Sequence, residues 1–328
     1  MLILNAQEVR QALPMDQTIA AMQDAYASLS NGTAVVPLRT HLPIPGHDAV
    51  SLFMPAFTSG ANEALAVKIV SLFPGNPARG LAYIQAAVLV LEPDTGRAMA
   101  LLEGSALTAI RTGAGSGAAI RLLARPDAKT VAIFGAGAQG RTQLEAACAA
   151  RQITTAYIFD ADFAKAEAFA REMAGMRGIT TDLRAARSAQ EAVENADIIC
   201  TATTSNAAVF EDRHVKPGTH ISAIGAYTPE MQEIPVETVA RARIVVDSRA
   251  TVMDEAGDLV KALQAGAITE ANIHAELGEI VSGKKTGRQS ETEITFFKSV
   301  GNAVQDAAAA QLALKNASLL RLGTEVNF

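Results

Sequence analysis

Apolar and polar residues follow two different patterns along the 328 residues of this chain. From Lys129 to Asp247, short apolar runs alternate with stretches of helical periodicity. This alternation is typical of βαβ units and predicts an α/β domain with a doubly wound parallel sheet, a Rossmann fold. The predicted strands are Thr130–Phe134, Ala156–Phe159, Ile179–Thr181, Ile198–Thr201, His220–Ala223 and Ile244–Val246. The predicted helices include Thr142–Ala150, Ala164–Ala174, Ala189–Glu194 and, beyond the last strand, Asp254–Gly266.

Residues 35–103 carry the second pattern, in which β-like runs follow one another without helices between them. Successive strands separated by proline and glycine turns predict a mostly antiparallel sheet. The predicted strands are Arg39–Leu42, Ser51–Ala56, Leu65–Phe73, Tyr83–Glu92 and Ala98–Leu102. The helices predicted around this sheet are Met15–Ser30, Ser105–Leu123 and the alanine-rich Gly301–Leu322.

The two patterns predict two domains. We place the boundary near the helix-breaking Arg125-Pro126-Asp127 segment. Residues 1–125 then form an α+β domain, completed by the C-terminal helix at 301–328, and residues 126–300 form the Rossmann domain. The Ser105–Leu123 helix is rich in glycine, which costs about 1 kcal/mol per residue relative to alanine. We therefore expect it to pack closely against another backbone or a ligand.

A glycine motif connects the first predicted strand of the parallel sheet to the helix after it. Gly135, Gly137 and Gly140 have G-x-G-x-x-G spacing directly after Thr130–Phe134. The first glycine permits a tight turn, the second lets the backbone approach a pyrophosphate, and the third lets the helix pack on the strand. The helix that follows would present free N–H groups, with Ala138 and Gln139 beside the phosphates. A plain glycine turn is the alternative.

Asp160 ends the second predicted strand, about twenty residues past the last glycine, where a ribose-binding acid is expected. Its carboxylate would accept from the ribose hydroxyls and repel a 2′-phosphate, which slightly favours NADH. The nearby cations Arg141 and Lys165 weaken this preference for NADH, so the cofactor is predicted as NADH or NADPH. The loops after Ile198–Thr201 and His220–Ala223 follow strand ends, which predicts that Thr201, Thr203 and Tyr227 face the nicotinamide side.

Three cations are candidates for holding an acid substrate. Lys68 interrupts a strand whose two faces are otherwise apolar, and such a charge must find a partner or line a cavity. An edge-strand lysine is the alternative. Arg111 interrupts an apolar helix, and its fork matches a carboxylate, with a structural salt bridge as the alternative. Arg39 is a second candidate clamp, although its position alone favours solvated surface.

Composition narrows the function classes. Hydrophobic residues make up 49% of the chain and the net charge is −6 without a dense basic run, which argues against a nucleic-acid partner. No apolar stretch reaches the roughly 20 residues of a membrane span, and the N-terminus lacks a secretory signal pattern. Cys148 and Cys200 suit buried positions in a reducing compartment, and no cluster has metal-ligand spacing. We expect a cytoplasmic, metal-free protein.

Together these residues resemble the ornithine cyclodeaminase/mu-crystallin family over essentially the whole chain. The matching motifs are Lys68 with Pro74–Pro77, Ala109–Ala114, Gly135–Gly140, Ile224–Ala226 and Phe297–Gly301. The resemblance implies action on imino or amino acids with a nicotinamide cofactor. It also implies a homodimer formed through the N-terminal sheet, so the first domain would bind substrate and dimerise.

The resemblance further implies residue roles. Arg39, Lys68 and Arg111 would hold the substrate carboxylate, with Lys68 also near the reacting carbon. The family motifs add cofactor contacts at Thr112, Ser299, Val300 and Gly301. The family's cyclodeaminases carry an aspartate, as a base, where this chain has Tyr227. A tyrosine with an ordinary pKa of about 10 is a poor base at neutral pH, so the resemblance does not favour ornithine cyclisation.

Reduction of an already formed cyclic imine needs less, because the protonated iminium is itself the electrophile. The Gly225–Glu233 loop looks like that of relatives that reduce Δ1-pyrroline-2-carboxylate to L-proline. The prediction is therefore an NAD(P)-dependent oxidoreductase acting on C=N bonds, with that reaction as the best single candidate and Tyr227 beside the catalytic cations. The alternatives are ornithine cyclodeaminase or alanine dehydrogenase activity, and a mu-crystallin-like, dinucleotide-dependent binding protein.

Overall fold

The computed structural model describes residues 1–60 and 62–327 and divides into two compact units. The first unit contains Met1–Arg111 and the chain from Asn302 onward, and the second contains Thr112–Gly301. The sequence placed the boundary at the proline break after residue 125, whereas the compact units divide inside a helix, between Arg111 and Thr112.

The helices among the described residues are α1 Ala6–Ala12, α2 Met15–Ser30, α3 Gly104–Leu123, α4 Ala138–Ala150, α5 Phe163–Met173, α6 Ala189–Asn195, α7 Val236–Arg241, α8 Arg249–Glu255, α9 Gly257–Gln264, α10 Leu277–Val281 and α11 Ala303–Leu320. The strands of the first unit are β1 Leu2–Leu4, β2 Ala34–Val35, β3 Thr40–Ile44, β4 Ala49–Thr58, β5 Ala64–Leu72, β6 Ile84–Leu91, β7 Ala98–Glu103 and β16 Thr324–Glu325. The strands of the second unit are β8 Thr130–Phe134, β9 Thr155–Phe159, β10 Asp182–Ala185, β11 Ile198–Thr201, β12 His220–Ala223, β13 Arg243–Val246, β14 Ile273–Glu276 and β15 Thr295–Lys298.

The first unit is built on an eight-stranded, mostly antiparallel sheet, as predicted. Its order is β16-β1-β7-β6-β5-β4-β2, with β3 paired to β4 and one parallel pair between β1 and β7. Helix α11 packs on β4, β5 and β6. Along β5 the buried residues alternate with less buried ones, so one face of the strand meets the helix.

The second unit is an eight-stranded parallel sheet, which confirms the doubly wound prediction. Its order is β10-β9-β8-β11-β12-β15-β13-β14. Successive residues of β8 enter different hydrophobic clusters: Val131 and Ile133 lie in one, Ala132 and Phe134 in the other. Both faces of the sheet are therefore covered, as parallel sheets require.

Several predicted elements were wrong in place or extent. Ile179–Thr181 is not a strand, because Ile179 closes a short 3-10 turn onto Met176, and the strand begins at Asp182. The helix predicted over Asp254–Gly266 is two helices, α8 and α9, separated at Ala256. The strand predicted over Arg39–Leu42 is shifted to Thr40–Ile44. The short strands β1, β2, β14, β15 and β16 were not predicted.

The small residues of α3 have a packing role. A methyl group added at Gly113 would overlap the backbone of Thr142 in α4, so the two helices approach at backbone distance. The close contact expected from the glycine-rich sequence is therefore present within the second unit. Among residues 1–60 and 62–327, no helix is long and apolar enough to cross a membrane.

Candidate active site

The glycine loop of the second unit joins β8 to α4. Gly135 has a φ of 98°, a conformation that L side chains rarely adopt, and a side chain there would also meet the carbonyl oxygen of Ala202. A methyl group at Gly140 would overlap the carbonyl oxygen of Gly135. These two glycines are therefore required by the protein's own backbone.

Gly137 is different, because a methyl group there would meet no protein atom within 4 Å. Gly137 is also the N-cap of α4, and its lack of a side chain means that it cannot cap the helix itself. The space beside it is open to a ligand, and the N–H groups of Ala138 and Gln139 begin a 13-residue helix whose dipole favours an anion. The loop therefore fits the pyrophosphate of a dinucleotide.

Asp160 directly follows β9 and faces this loop. Its Oδ2 accepts from the N–H of Ala136 at 2.8 Å, and its Oδ1 accepts from the N–H of Asp162 at 3.0 Å. The carboxylate thus fixes the glycine loop against the end of β9. A carboxylate at this strand end is placed for ribose hydroxyls in a Rossmann sheet.

Other predicted cofactor residues lie at the end of β11 or just after β11 and β15. The hydroxyls of Thr201 and Thr203 donate to the carboxylate of Glu233 at 2.9 and 2.8 Å. The Ser299 hydroxyl donates to Asp247 at 2.7 Å. The N–H groups of Val300 and Gly301 donate to the same Asp247 oxygen at 3.1 and 2.9 Å. Two buried carboxylates, Glu233 and Asp247, therefore organise these loops.

In the first unit, Lys68 and Arg111 meet at one carboxylate. Lys68 Nζ lies 2.6 Å from Asp306 Oδ2, and Arg111 Nε lies 2.9 Å from Asp306 Oδ1. Lys68 is 2% exposed, Arg111 5% and Asp306 1%, so the three charges share a site removed from water. Strand β5 lies between β4 and β6, which excludes the edge-strand explanation for Lys68.

Burial dominates the electrostatics of this cluster. It lowers the pKa of Lys68 to about 8, while the charge of Asp306 acts in the opposite direction. The positive charges of Arg111 and Arg39 add to the lowering of that pKa. Burial also opposes ionisation of Asp306, yet Arg111 and Lys68 together hold its pKa below the ordinary value. The carboxylate is therefore ionised, and the ammonium titrates unusually close to neutral pH.

Neighbouring polar groups orient the guanidinium. Arg111 Nη1 donates to Gln305 Oε1 at 3.4 Å, and Gln305 Nε2 donates to the Tyr26 hydroxyl at 2.8 Å. Among the described residues, no hydrogen bond uses Nη2 of Arg111. Lys68 and Arg111 pair with the single carboxylate of Asp306, and Arg39 is near enough to Lys68 for its charge to lower the lysine pKa. This excess of positive charge suits a bound anion.

The remaining predicted residues occupy less buried positions. Arg39 is half-buried rather than fully solvated and lies one residue before β3, not within a strand. Tyr227 is half-buried in the segment after β12, and Thr112 is half-buried within α3. Among the described residues, no group of three or more His, Cys, Asp and Glu side chains could hold a metal ion.

Sequence reasoning missed four polar side chains that organise these sites: Gln305, Asp306, Glu233 and Asp247. A signal for the first two was present, because Gln305-Asp306 interrupts an apolar, alanine-rich helix just as Lys68 interrupts an apolar strand. Glu233 lies in a polar loop segment, so nothing in the surrounding sequence indicates that its side chain is completely buried.

A parallel sheet with a glycine loop, joined in one chain to an antiparallel unit with a buried cationic cluster, defines an α/β protein of the dinucleotide-binding class. The model of the ornithine cyclodeaminase/mu-crystallin family matches residues 1–319, and the chain belongs to this family.

Relatives of known identity match along the full chain. The Δ1-pyrroline-2-carboxylate reductase of Bacillus cereus is 39% identical, with 100% of both chains covered. The solved structure of Thermococcus litoralis Δ1-pyrroline-2-carboxylate reductase with NADH and L-proline has a TM-score of 0.93 and 42% identity, covering 99% of this chain and 100% of that one. An archaeal alanine dehydrogenase dimer with bound NAD has a TM-score of 0.91 and 33% identity, covering 100% and 99%.

Proposed function

We propose that this protein is an NAD(P)H-dependent reductase of cyclic imino acids, and that it converts Δ1-pyrroline-2-carboxylate to L-proline. The observation that carries the proposal is the buried Lys68–Asp306–Arg111 cluster, in a chain that also has the open glycine loop at Gly137. Two full-length relatives, at 39% and 42% identity, carry the name of this activity. The glycine loop would hold either reduced cofactor, and Asp160 slightly favours NADH.

The substrate carboxylate is the group that the cationic cluster recognises. Arg111 would offer it Nη2, while Asp306 and Gln305 hold the other side of the guanidinium. Lys68 and Arg39 add positive charge, which suits an anion bound away from water. This grip fixes the orientation of the imine ring, and orientation is the main requirement of hydride transfer.

The bound reduced nicotinamide supplies a hydride. In the reduction, the imine carbon gains this hydride and the ring nitrogen carries one added proton, so the C=N bond becomes the CH–NH of the amino acid. Lys68, with a pKa of about 8, holds a proton at neutral pH and can donate it at Nζ. We assign Tyr227 a catalytic role that is secondary to that of Lys68.

The first unit would bind substrate and form a homodimer, and the second would bind the cofactor. The sheet face opposite α11 is apolar along β5, where Leu65, Val67 and Ile69 alternate with residues of the buried face. Ile69 and Ile84 are each 40% exposed. An apolar sheet face of this kind is typical of subunit interfaces. Light scattering would measure the mass in solution, and a monomer would contradict the dimer.

The direct test is a cofactor-oxidation assay with purified protein. NADH or NADPH should be consumed with Δ1-pyrroline-2-carboxylate, and L-proline should accumulate in equal amount. L-Ornithine with oxidised cofactor should release no ammonia, since Tyr227 stands where cyclodeaminases have their base. Robust ammonia release would contradict this assignment.

The free cysteines Cys148 and Cys200 suit the reducing cytoplasm, where we propose that the enzyme works.

A second candidate is alanine dehydrogenase activity, which the 33% identical archaeal relative favours. Pyruvate also carries a carboxylate for Arg111, so the cationic cluster alone does not separate the two substrates. Parallel assays with pyruvate plus ammonia and with the cyclic imine distinguish them. Tight NADH binding without turnover of either substrate would favour a mu-crystallin-like binding protein instead.

A further inference from the structure

Glu233 is a fully buried carboxylate that the proposed reaction does not use. It is 0% exposed and accepts five hydrogen bonds within the second unit. Burial raises its pKa, and the charge of Lys298 opposes that rise. A buried carboxylate is costly unless hydrogen bonds satisfy it, so this concentration of donors needs an explanation.

The five donors come from the ends of two neighbouring strands and the loops that follow them. At the end of β11, the Thr201 hydroxyl donates at 2.9 Å, and in the loop that follows, the N–H and the hydroxyl of Thr203 donate at 2.6 and 2.8 Å. From the loop after β12, the N–H groups of Gly225 and Ala226 donate at 2.7 and 3.2 Å. One carboxylate therefore ties the ends of two neighbouring strands together.

Glu233 is itself anchored to a third strand. Its own N–H and that of Ile234 donate to Asp258 Oδ1 at 2.6 and 2.9 Å. Asp258 Oδ2 lies 2.8 Å from the Nζ of Lys298, the last residue of β15, and both side chains are 0% exposed. The connection thus runs from β15 through Asp258 and Glu233 to the loops after β11 and β12.

Gly225 lies in close contact with the loop after β11 and with Glu233. A methyl group at Gly225 would overlap the carbonyl oxygen of Thr203 and the carboxylate of Glu233. The two loops therefore approach at backbone distance, and Glu233 fills the space between them. Such a contact leaves little freedom for either loop to move alone.

The tied loops lie on one defined side of the glycine loop. In the sheet order, β9 with Asp160 lies on one side of β8, and β11, β12 and β15 lie on the other. A dinucleotide whose pyrophosphate sits on the glycine loop places its adenosine toward the acid at the end of β9. Its nicotinamide half then extends toward the ends of β11 and β12, where Glu233 acts.

We propose that Glu233 is a positioning residue that sets the nicotinamide-side wall of the cofactor site. It does so by fixing the loops after β11 and β12 to each other. The inference rests on the proposed function, because it assumes that this unit binds a nicotinamide dinucleotide. In this role Glu233 contacts neither the cofactor nor the substrate.

The test is Glu233→Gln, which replaces one acceptor oxygen by an NH₂ group facing backbone N–H donors. Affinity is measured by calorimetry for NADH and for ADP-ribose, which lacks the nicotinamide. We expect NADH to bind at least about tenfold more weakly, a change of about 1.4 kcal/mol. ADP-ribose should bind within about twofold of the wild type, since the glycine loop and Asp160 are untouched. Glu230→Gln, an exposed carboxylate in the same segment, is the matched control and should bind both ligands normally.

If Glu233→Gln weakens the binding of both ligands equally, the role of Glu233 is generally structural. If it weakens the binding of neither, Glu233 has no role in cofactor binding. Either result overturns the inference. If Glu233→Gln does not fold, Thr201→Val removes a single donor and should give the same selective loss at a smaller size, about threefold. Wild-type protein that binds ADP-ribose but not NADH, or neither, would refute the proposed function and this inference together. Normal wild-type binding with an unaffected variant would refute only the role of Glu233.

Discussion

Asp306→Asn is the most informative single change, because Asp306 carries both ion pairs of the cationic cluster. The substitution keeps the shape of the side chain and removes its charge, leaving Lys68 and Arg111 buried without a counterion. Removing one partner of a buried ion pair typically costs about 3–5 kcal/mol. Denaturant unfolding should therefore show a stability loss of that order. Asp94→Asn, in an exposed turn of the same unit, is the control and should be unchanged.

The same change should move the pH dependence of the reaction. Burial lowers the pKa of Lys68 to about 8, and Asp306 opposes that lowering. Without Asp306 the lysine pKa falls further, so Lys68 loses its charge at a lower pH. In the wild type, kcat/KM should decline as pH rises through about 8, because the neutral amine neither grips a carboxylate nor donates a proton. In Asp306→Asn that decline should begin at lower pH.

The contribution of Lys68 to folding stability changes with pH in the opposite direction to kcat/KM. Between about 8 and 10.5 the unfolded chain keeps the Lys68 proton that the folded protein releases, so the contribution of Lys68 to stability rises with pH in that window. A gain in stability with a loss of kcat/KM over the same pH range would identify Lys68 as the titrating group. Identical pH profiles for the wild type and Asp306→Asn would refute the reasoning.

Two further predictions concern the cofactor loop. Gly137→Ala should fold with unchanged stability, because the added methyl group meets no protein atom within 4 Å. It should weaken NADH binding by about tenfold or more, because the methyl group intrudes on the pyrophosphate. Normal NADH affinity would place the phosphates elsewhere. Asp160→Asn should reduce the preference for NADH over NADPH severalfold in kcat/KM, since the charge that repels a 2′-phosphate is lost. An unchanged ratio of kcat/KM for the two cofactors would mean that Asp160 serves only to accept the hydrogen bond from the N–H of Ala136.

The sequence predicted the features that arise from local chemistry. The glycine loop was recognisable because its turn, strand and helix are contiguous. Lys68 was recognisable because a charge inside an apolar strand must be compensated wherever the strand lies. Both fold classes followed from whether helices separate the strands. These inferences needed no knowledge of distant contacts.

The rest depends on contacts between residues far apart in the chain. Asp306 pairs with Lys68 and Arg111 only because α11 returns to cover β5. Strand β15 contributes only four residues and was not predicted, although it lies inside the parallel sheet between β12 and β13. Ile179 looked like part of a strand because it is apolar, but it packs into the core from a turn. In each case tertiary packing decides what local pattern leaves open.

Lys68 and Arg111 should hold the substrate carboxylate. A crystal structure of the protein with NADH and L-proline would show whether they do. We expect a proline carboxylate oxygen about 2.7–3.2 Å from Nη2 of Arg111, with Nζ of Lys68 at a similar distance. A proline carboxylate bound to other residues, with Lys68 and Arg111 contacting only Asp306, would contradict it.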